Sequence, residues 1–167
     1  MGEYKVNKLQ RWTFESVAYF ISEIVEKKSG NVLTGKQESM VNSRLKRRFG
    51  ELGIQDPAEY INYFNKNMIE ETNKLVSLLT THHTYFFREV IHFEFLEEQI
   101  EEIVNTVKER GDNTIRIYSA ACSKGQEVYS LALFFKYYLK KFPEVNFKIF
   151  GTDIDQESVE TAQKGVY

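Results

Sequence analysis

The sequence predicts two modules in series, an all-α bundle followed by the opening of an α/β domain. Three observations predict it. Apolar residues recur at helical spacing through the first half of the 167 residues. Near Thr114 the period shortens, and β-branched and aromatic residues take over. From there the order reads strand, helix, strand, and a helical crossover between strands implies a parallel pair. We place the helical module at residues 1–84 and the α/β module at residues 85–167.

The elements follow in order. Residues 12–28 set Trp12, Val17, Phe20, Ile21, Ile24 and Val25 on one side of a helix, and Ser29-Gly30-Asn31 stops it. Residues 36–52 align Val41, Leu45, Phe49 and Leu52 on a second stripe. Asp56 and Pro57 suit the cap and first turn of a third helix, with Tyr60, Ile61, Tyr63 and Phe64 as its apolar side. A fourth helix covers residues 69–79. After the polar break Thr80-Thr81-His82-His83-Thr84, a long helix is predicted from about Arg88 to Arg110, ending at Gly111. A strand containing Ile115, Ile117 and Tyr118, a helix over residues 126–140, a second strand over residues 147–152 and a final helix over residues 156–164 complete the chain.

Composition bounds the function. Apolar content is 42% and aromatic content 14%, enough for packed cores. The net charge of −2 argues against sequence-independent nucleic-acid binding, which needs a strong positive field. One cysteine rules out an internal disulfide framework and suits the cytosol. The first residues, MGEYKVNKLQRW, contain no apolar leader core, and no apolar run reaches membrane-spanning length. The expected protein is cytoplasmic and not membrane-embedded.

The chemistry concentrates in "RIYSAACSKGQEVYSLALFF", residues 116–135. A strand, a turn of small residues and a helix in that order build a cofactor floor in α/β folds. Backbone N–H groups at the turn and the helix N-terminus can meet a carboxylate-bearing ligand, and Gly125 permits close approach. One glycine is too few for a dinucleotide pyrophosphate turn. Glu127 repels phosphates and suits a cationic or amine-bearing group. In "IFGTDID", residues 149–155, Asp153 ends the second strand where ribose hydroxyls are held in nucleotide-binding folds, whereas Asp155 is expected to cap the next helix. The alternative is purely local: Ser123 and Gly125 as a helix cap, and Glu127 favouring the helix dipole. An acid at each place and no phosphate cradle fit a phosphate-free nucleoside, and S-adenosylmethionine matches with its ribose, amino-acid head and sulfonium. In "TTHHTYFFRE", residues 80–89, Arg88 can clamp a carboxylate. The bland reading there is a surface helix turn with Phe86 and Phe87 in the core.

The segments "TTHHTYFFRE", "SAACSKGQEVYS" (residues 119–130) and "GTDID" (residues 151–155) resemble the chemotaxis receptor methyltransferases of the CheR type. "VNSRLKRRFGELGIQDPAEYINYF", residues 41–64, is similar to that family's N-terminal helical domain. The resemblance implies a small helical, substrate-recognising bundle followed by a Rossmann-like S-adenosylmethionine-dependent methyltransferase domain. It implies methyl transfer from S-adenosylmethionine to glutamate side chains on the cytoplasmic helices of bacterial chemoreceptors, with S-adenosylhomocysteine as product. Carried over by position, His82, Thr84, Arg88, Glu127 and Asp153 fall at the cofactor. Arg88 is also the candidate catalytic residue, orienting a carboxylate. His82 departs from the family's usual Asn.

The basic run after Val41 adds a substrate side. At about 100° per residue, Arg44, Arg47 and Arg48 flank the apolar stripe, and the resemblance implies that they grip acidic receptor helices. A solvated face is the alternative. Nucleic acid is disfavoured, since residues 1–60 hold ten Lys and Arg against eight Asp and Glu. The three histidines lack partners at ligand spacing, so no metal is expected. Cys122 reads as a small residue in a tight loop, with an activated thiolate as the minor alternative. Phe134, Phe135, Tyr137 and Tyr138 read as helix packing on the sheet. A methyltransferase sheet needs more strands than the two legible here, so the chain is expected to be part of a catalytic unit and inactive alone. The competing class is a CheR-like binding module that has lost activity.

Overall fold

The computed structural model describes residues 11–33 and 35–167. The reading of the first ten residues as leader-free falls outside them. The chain divides between Thr80 and Thr81 into two compact units. Among the described residues no helix is long and apolar enough to cross a membrane.

Among its described residues the first unit contains four α-helices: α1 (Phe14–Ser29), α2 (Glu38–Leu52, entered by a 3₁₀ turn, Gly35–Gln37), α3 (Pro57–Lys66) and α4 (Met68–Leu79). Local chemistry sets their ends. Thr13 and Ser16 form a capping box at α1, and Gly30 ends that helix in the left-handed conformation. The Asp56 side chain accepts from Ala58 N–H, with Pro57 in the first turn of α3. The predicted stripes meet in one core, where Val17, Ile21, Val25, Leu45, Phe64, Leu75 and Val76 are almost wholly buried.

One charged group enters this core. Glu71 on α4 is only 1% exposed. Its carboxylate accepts from the Tyr60 hydroxyl at 2.8 Å, from Arg48 Nε at 3.1 Å and from Arg48 Nη2 at 2.6 Å. That set satisfies a group whose burial unpaired would cost several kcal/mol. Burial, then the neighbouring Glu71 charge, push the Tyr60 phenol pKa up, and the Glu71 hydrogen bond does the same for the Arg48 guanidinium. Arg44 is tied as well, donating through Nη1 to Leu78 O at 2.6 Å and Thr80 O at 2.9 Å, at the orphan end of α4. Of the three arginines singled out in the sequence, Arg47 is the solvent-facing one, paired loosely with Glu51 at 3.5 Å.

The second unit runs α5 (Val90–Arg110), β1 (Thr114–Ala120), α6 (Gln126–Tyr138, extended by a 3₁₀ turn, Leu139–Lys141), β2 (Asn146–Thr152) and α7 (Gln156–Lys164). The strands are parallel, in register from Thr114 opposite Asn146 to Ala120 opposite Thr152. Alternation turns Ile115, Ile117 and Phe147 toward α5 and α6, where they pack with Ile100, Val104, Val107, Phe134 and Phe135. The other face carries Tyr118 stacked on Phe150, both about two-thirds exposed. The expected packing of the α6 aromatics divides accordingly: Phe134 and Phe135 are buried, Tyr137 is exposed.

The expected start of the long helix, and the alternative reading that put Phe86 and Phe87 in the core, differ from what the structure shows. The long helix begins at Val90 rather than Arg88, because Phe87 and Glu89 hold left-handed φ of 54° and 56° and cannot belong to a right-handed helix. Phe86 and Phe87 are not core residues; both are about two-fifths exposed and pack edge-on, Phe86 on Tyr167 and Phe87 on Phe93.

The Glu71 network has a direct consequence. Glu71→Ala strands Arg48 and the Tyr60 hydroxyl and is expected to cost about 3–5 kcal/mol. Tyr60→Phe, which leaves the ion pair intact, is expected to cost about 1 kcal/mol. Trp12, the single tryptophan, packs on Phe20 in this unit, so its fluorescence in a urea titration reads both.

Candidate functional site

The site forms where both strands end. β1 and β2 finish level, at Ala120 and Thr152, so the loop 121–125 and residues 153–155 leave the same carboxyl edge of the sheet. That edge is where open α/β sheets bind ligands.

The loop is unusually wound. Ala121, Ser123 and Gly125 all take left-handed φ, at 57°, 49° and 93°. For Ala and Ser this conformation costs about 1–2 kcal/mol each, so something must hold it. Cys122 N–H donates to Thr152 O at 2.9 Å, and Gly125 N–H to Cys122 O at 2.9 Å. Ser123 N–H donates to Asp153 Oδ2 at 2.7 Å, and the other oxygen, Oδ1, accepts from Asp155 N–H at 2.9 Å. Three loop N–H groups expected to face a ligand are therefore used within the protein. The anion cradled by Ser123 N–H is the chain's own Asp153.

Glu127 lies in the first turn of α6 and is exposed. The strand alternation that buries Ile115 and Ile117 also turns Ser119 toward α6, and Ser119 Oγ donates to Glu127 Oε1 at 2.6 Å. Both acids lie at this edge, Glu127 bonded to Ser119 near the end of β1 and Asp153 to Ser123 in the loop after it. Cys122 is 5% exposed, and its thiol pKa is raised by burial first, then by the Asp153 charge, and further by Glu127. Both carboxylates thus act on one sulfur atom in the loop between them. The same observation decides Cys122, which is a neutral packing thiol set against Gly151, where an added Cβ would lie 3.1 Å from its sulfur.

Gly125 is required for packing rather than for ligand approach. A Cβ there would sit 2.7 Å from the Tyr167 hydroxyl and 2.8 Å from Ala162 Cβ. Tyr167 also donates to Lys124 O at 2.6 Å, so the segment after α7 closes over the loop. Asp155 caps α7 as expected, accepting from Ser158 N–H at 3.1 Å and from Ser158 Oγ at 2.6 Å.

Residues 81–89 pass beside this loop. Ser123 Oγ donates to His82 O at 3.4 Å, and His82 Nδ1 lies 3.6 Å from Asp155 Oδ2. Thr84 is half-buried. Phe87 N–H donates to Ser130 Oγ at 2.9 Å. Arg88 is exposed, donates to His83 O at 2.9 Å and lies 3.7 Å from Glu89 through Nε. Ser119 and Ser130 make contacts at this edge that the sequence did not reveal, and Ser123, read there as a helix cap, instead meets Asp153 and His82. Small polar residues in a loop or helix carry no signal until the fold supplies their partners.

A fit to S-adenosylmethionine can be tested on this donor set. Each oxygen of an ionised carboxylate has about two acceptor sites. Asp153 uses one N–H donor per oxygen, which leaves acceptor capacity for a vicinal diol. Glu127 spends one oxygen on Ser119, which leaves the other for an amine or hydroxyl donor. Among the described residues no side-chain cation is hydrogen-bonded to or ion-paired with either acid, and the loop has no run of glycines for a pyrophosphate. The residues fit a nucleoside with an amino-acid head.

Two measurements check the packing. Gly125→Ala is expected to destabilise the second unit by about 2–3 kcal/mol in thermal unfolding followed by tyrosine circular dichroism, from backbone strain and overlap with Ala162. Cys122 is expected to resist iodoacetamide at pH 8 in the native chain and to react within minutes once urea unfolds it, as read by mass spectrometry.

Comparisons with known proteins agree with this geometry. Residues 82–167 match the family model described as the CheR methyltransferase SAM-binding domain, and residues 19–80 match the CheR methyltransferase all-alpha domain. A chemotaxis protein methyltransferase of Borreliella burgdorferi is 35% identical over 149 residues, covering 87% of this chain and 52% of that protein. The Escherichia coli chemotaxis protein methyltransferase is 35% identical over 148 residues, covering 88% of this chain and 49% of its own. A probable chemotaxis protein methyltransferase of Rhizobium etli is 35% identical over 141 residues, with 83% and 52% covered. The chain spans about half the length of these relatives. A helical unit and a parallel α/β unit, each matched in order by its own family model, place this chain in the CheR methyltransferase family.

Proposed function

We propose that this chain contributes the cofactor floor and the helical module of an S-adenosylmethionine-dependent methyltransferase that esterifies glutamate side chains on cytoplasmic chemoreceptor helices. The observation that carries the reading is the placing of two acids at the carboxyl edge of the sheet, Glu127 bonded to Ser119 near the end of β1 and Asp153 to Ser123 in the loop that follows it. The SAM-binding family match supports the ligand, and the relatives' names support the chemotactic setting.

In this reading Asp153 holds the ribose diol and Glu127 an amine or hydroxyl donor of the same ligand. His82 and Thr84 border it, and Arg88 orients a carboxylate, with most of its five N–H donors left over after the bond to His83 O. S-adenosylmethionine, when bound, supplies a methyl carbon made electrophilic by its sulfonium and leaves as S-adenosylhomocysteine. A glutamate carboxylate is already ionised at neutral pH. The new O–C bond forms as the C–S bond breaks, sulfur keeps the electron pair, and no general base is needed. The protein's contribution is alignment and exclusion of water.

On the receptor side, Arg47 is the arginine of the trio that faces solvent, whereas Arg44 and Arg48 reach a partner only by giving up contacts inside their own unit. Recognition of acidic helices therefore rests first on Arg47.

Calorimetry with S-adenosylhomocysteine tests the cofactor reading, and no detectable binding at millimolar ligand would sink it. Glu127→Gln keeps an oxygen for Ser119 and is expected to weaken binding about tenfold at unchanged thermal stability. Asp153→Asn, which also loosens Ser123, is expected to weaken binding similarly and to lower stability by about 1–2 kcal/mol. For the receptor side, Arg47→Ala is expected to weaken association with acidic receptor-helix peptides in a salt-dependent way without shifting the unfolding midpoint, whereas Arg48→Ala lowers that midpoint. Transfer of a labelled methyl group to those peptides by the chain extended to the full length of its relatives separates a catalyst from a module that only binds.

A further inference from the structure

We infer that Ser130, a residue that contacts neither reacting group, is the positioning residue for Arg88. The inference rests on the cofactor reading of Arg88 given above. Ser130 lies one turn into α6 and is 0% exposed. Its hydroxyl is used in both directions. It donates to Gln126 O at 2.7 Å and accepts from Phe87 N–H at 2.9 Å. The first bond orients the hydroxyl so that its lone pair meets the second. Phe87 is the residue immediately before Arg88, and it stands at φ 54°, a conformation that costs a bulky residue about 1–2 kcal/mol.

Nothing helical supports this point of the chain. α5 starts only at Val90, and Glu89 is itself left-handed. Arg88 therefore sits between two left-handed residues, with its guanidinium returned to His83 O. A second tie, Ser123 Oγ to His82 O, holds the other end of the segment to the acid-flanked loop. The segment 82–88 is thus bonded at one end to the loop after β1 and at the other to the first turns of α6, which also bears Glu127. Without the Ser130 bond, Phe87 can relax to a right-handed or extended φ, and Arg88 loses its fixed direction relative to Glu127.

The test uses the full chain and S-adenosylhomocysteine as the probe. Amide hydrogen exchange and calorimetry are measured for the unaltered chain, Ser130→Ala, Arg88→Ala and the double variant. The expected result is faster exchange confined to residues 84–89 in Ser130→Ala, with α5 and β1 unchanged. Affinity is expected to fall about tenfold on Ser130→Ala when Arg88 is present, and not to fall further when Arg88 is already Ala. An equal loss in both backgrounds, or unchanged exchange at Phe87, would overturn the inference, and so would loosening of the whole of α6. If the unaltered chain fails to bind the probe, the cofactor reading of Arg88 falls and the positioning role falls with it, while the exchange measurement shows separately whether the tether itself exists.

Discussion

Two hydrogen bonds from backbone N–H groups to the Asp153 carboxylate hold the candidate site together. One fastens the loop after β1, the other the turn into α7. The loop has three left-handed residues, two of which are not glycine, and such a backbone persists only where its surroundings over-determine it. Asp153 supplies that determination, with the Cys122 and Gly125 N–H bonds on either side. The acid proposed to hold ribose is thus also the acid that shapes the floor beneath it. Binding and architecture are coupled at one side chain, which is how a loop with a single glycine can be as defined as a glycine-rich one.

The first unit makes a parallel use of a carboxylate. Glu71 is buried and collects Arg48 and Tyr60. Arg44 serves the end of α4. Three arginines that read in sequence as equivalent therefore separate into an internal ion pair, a helix-end donor and one solvent-facing side chain. Any electrostatic attraction for an acidic partner is weaker than the raw count implies, because paired charges have their fields cancelled locally.

Between these two anchored regions lies the segment 81–89, whose backbone follows no regular element. Its geometry comes from three side-chain bonds, through Ser123, Ser130 and Arg88. From sequence the long helix is placed from about Arg88, two residues before its actual start at Val90. Period records where side chains would fall if the backbone were helical. It holds no information about a hydroxyl on another element that makes a non-helical φ worthwhile.

The linear sequence by itself determined the number and order of the elements, the capping of α3 and α7, the parallel strand pair and the placing of two acids at its carboxyl end. Each of these follows from residue type and spacing within a few positions, where the backbone's own sterics and hydrogen-bonding needs decide. The tertiary structure alone decided which N–H groups the loop keeps for itself, that Gly125 serves Ala162 and Tyr167, that Cys122 is an inert neutral thiol, which arginine faces water, and that Ser119 and Ser130 have partners at all. These depend on residues brought together from distant parts of the chain. A buried polar group must find a partner wherever the fold puts one, and spacing along the sequence does not encode that distance.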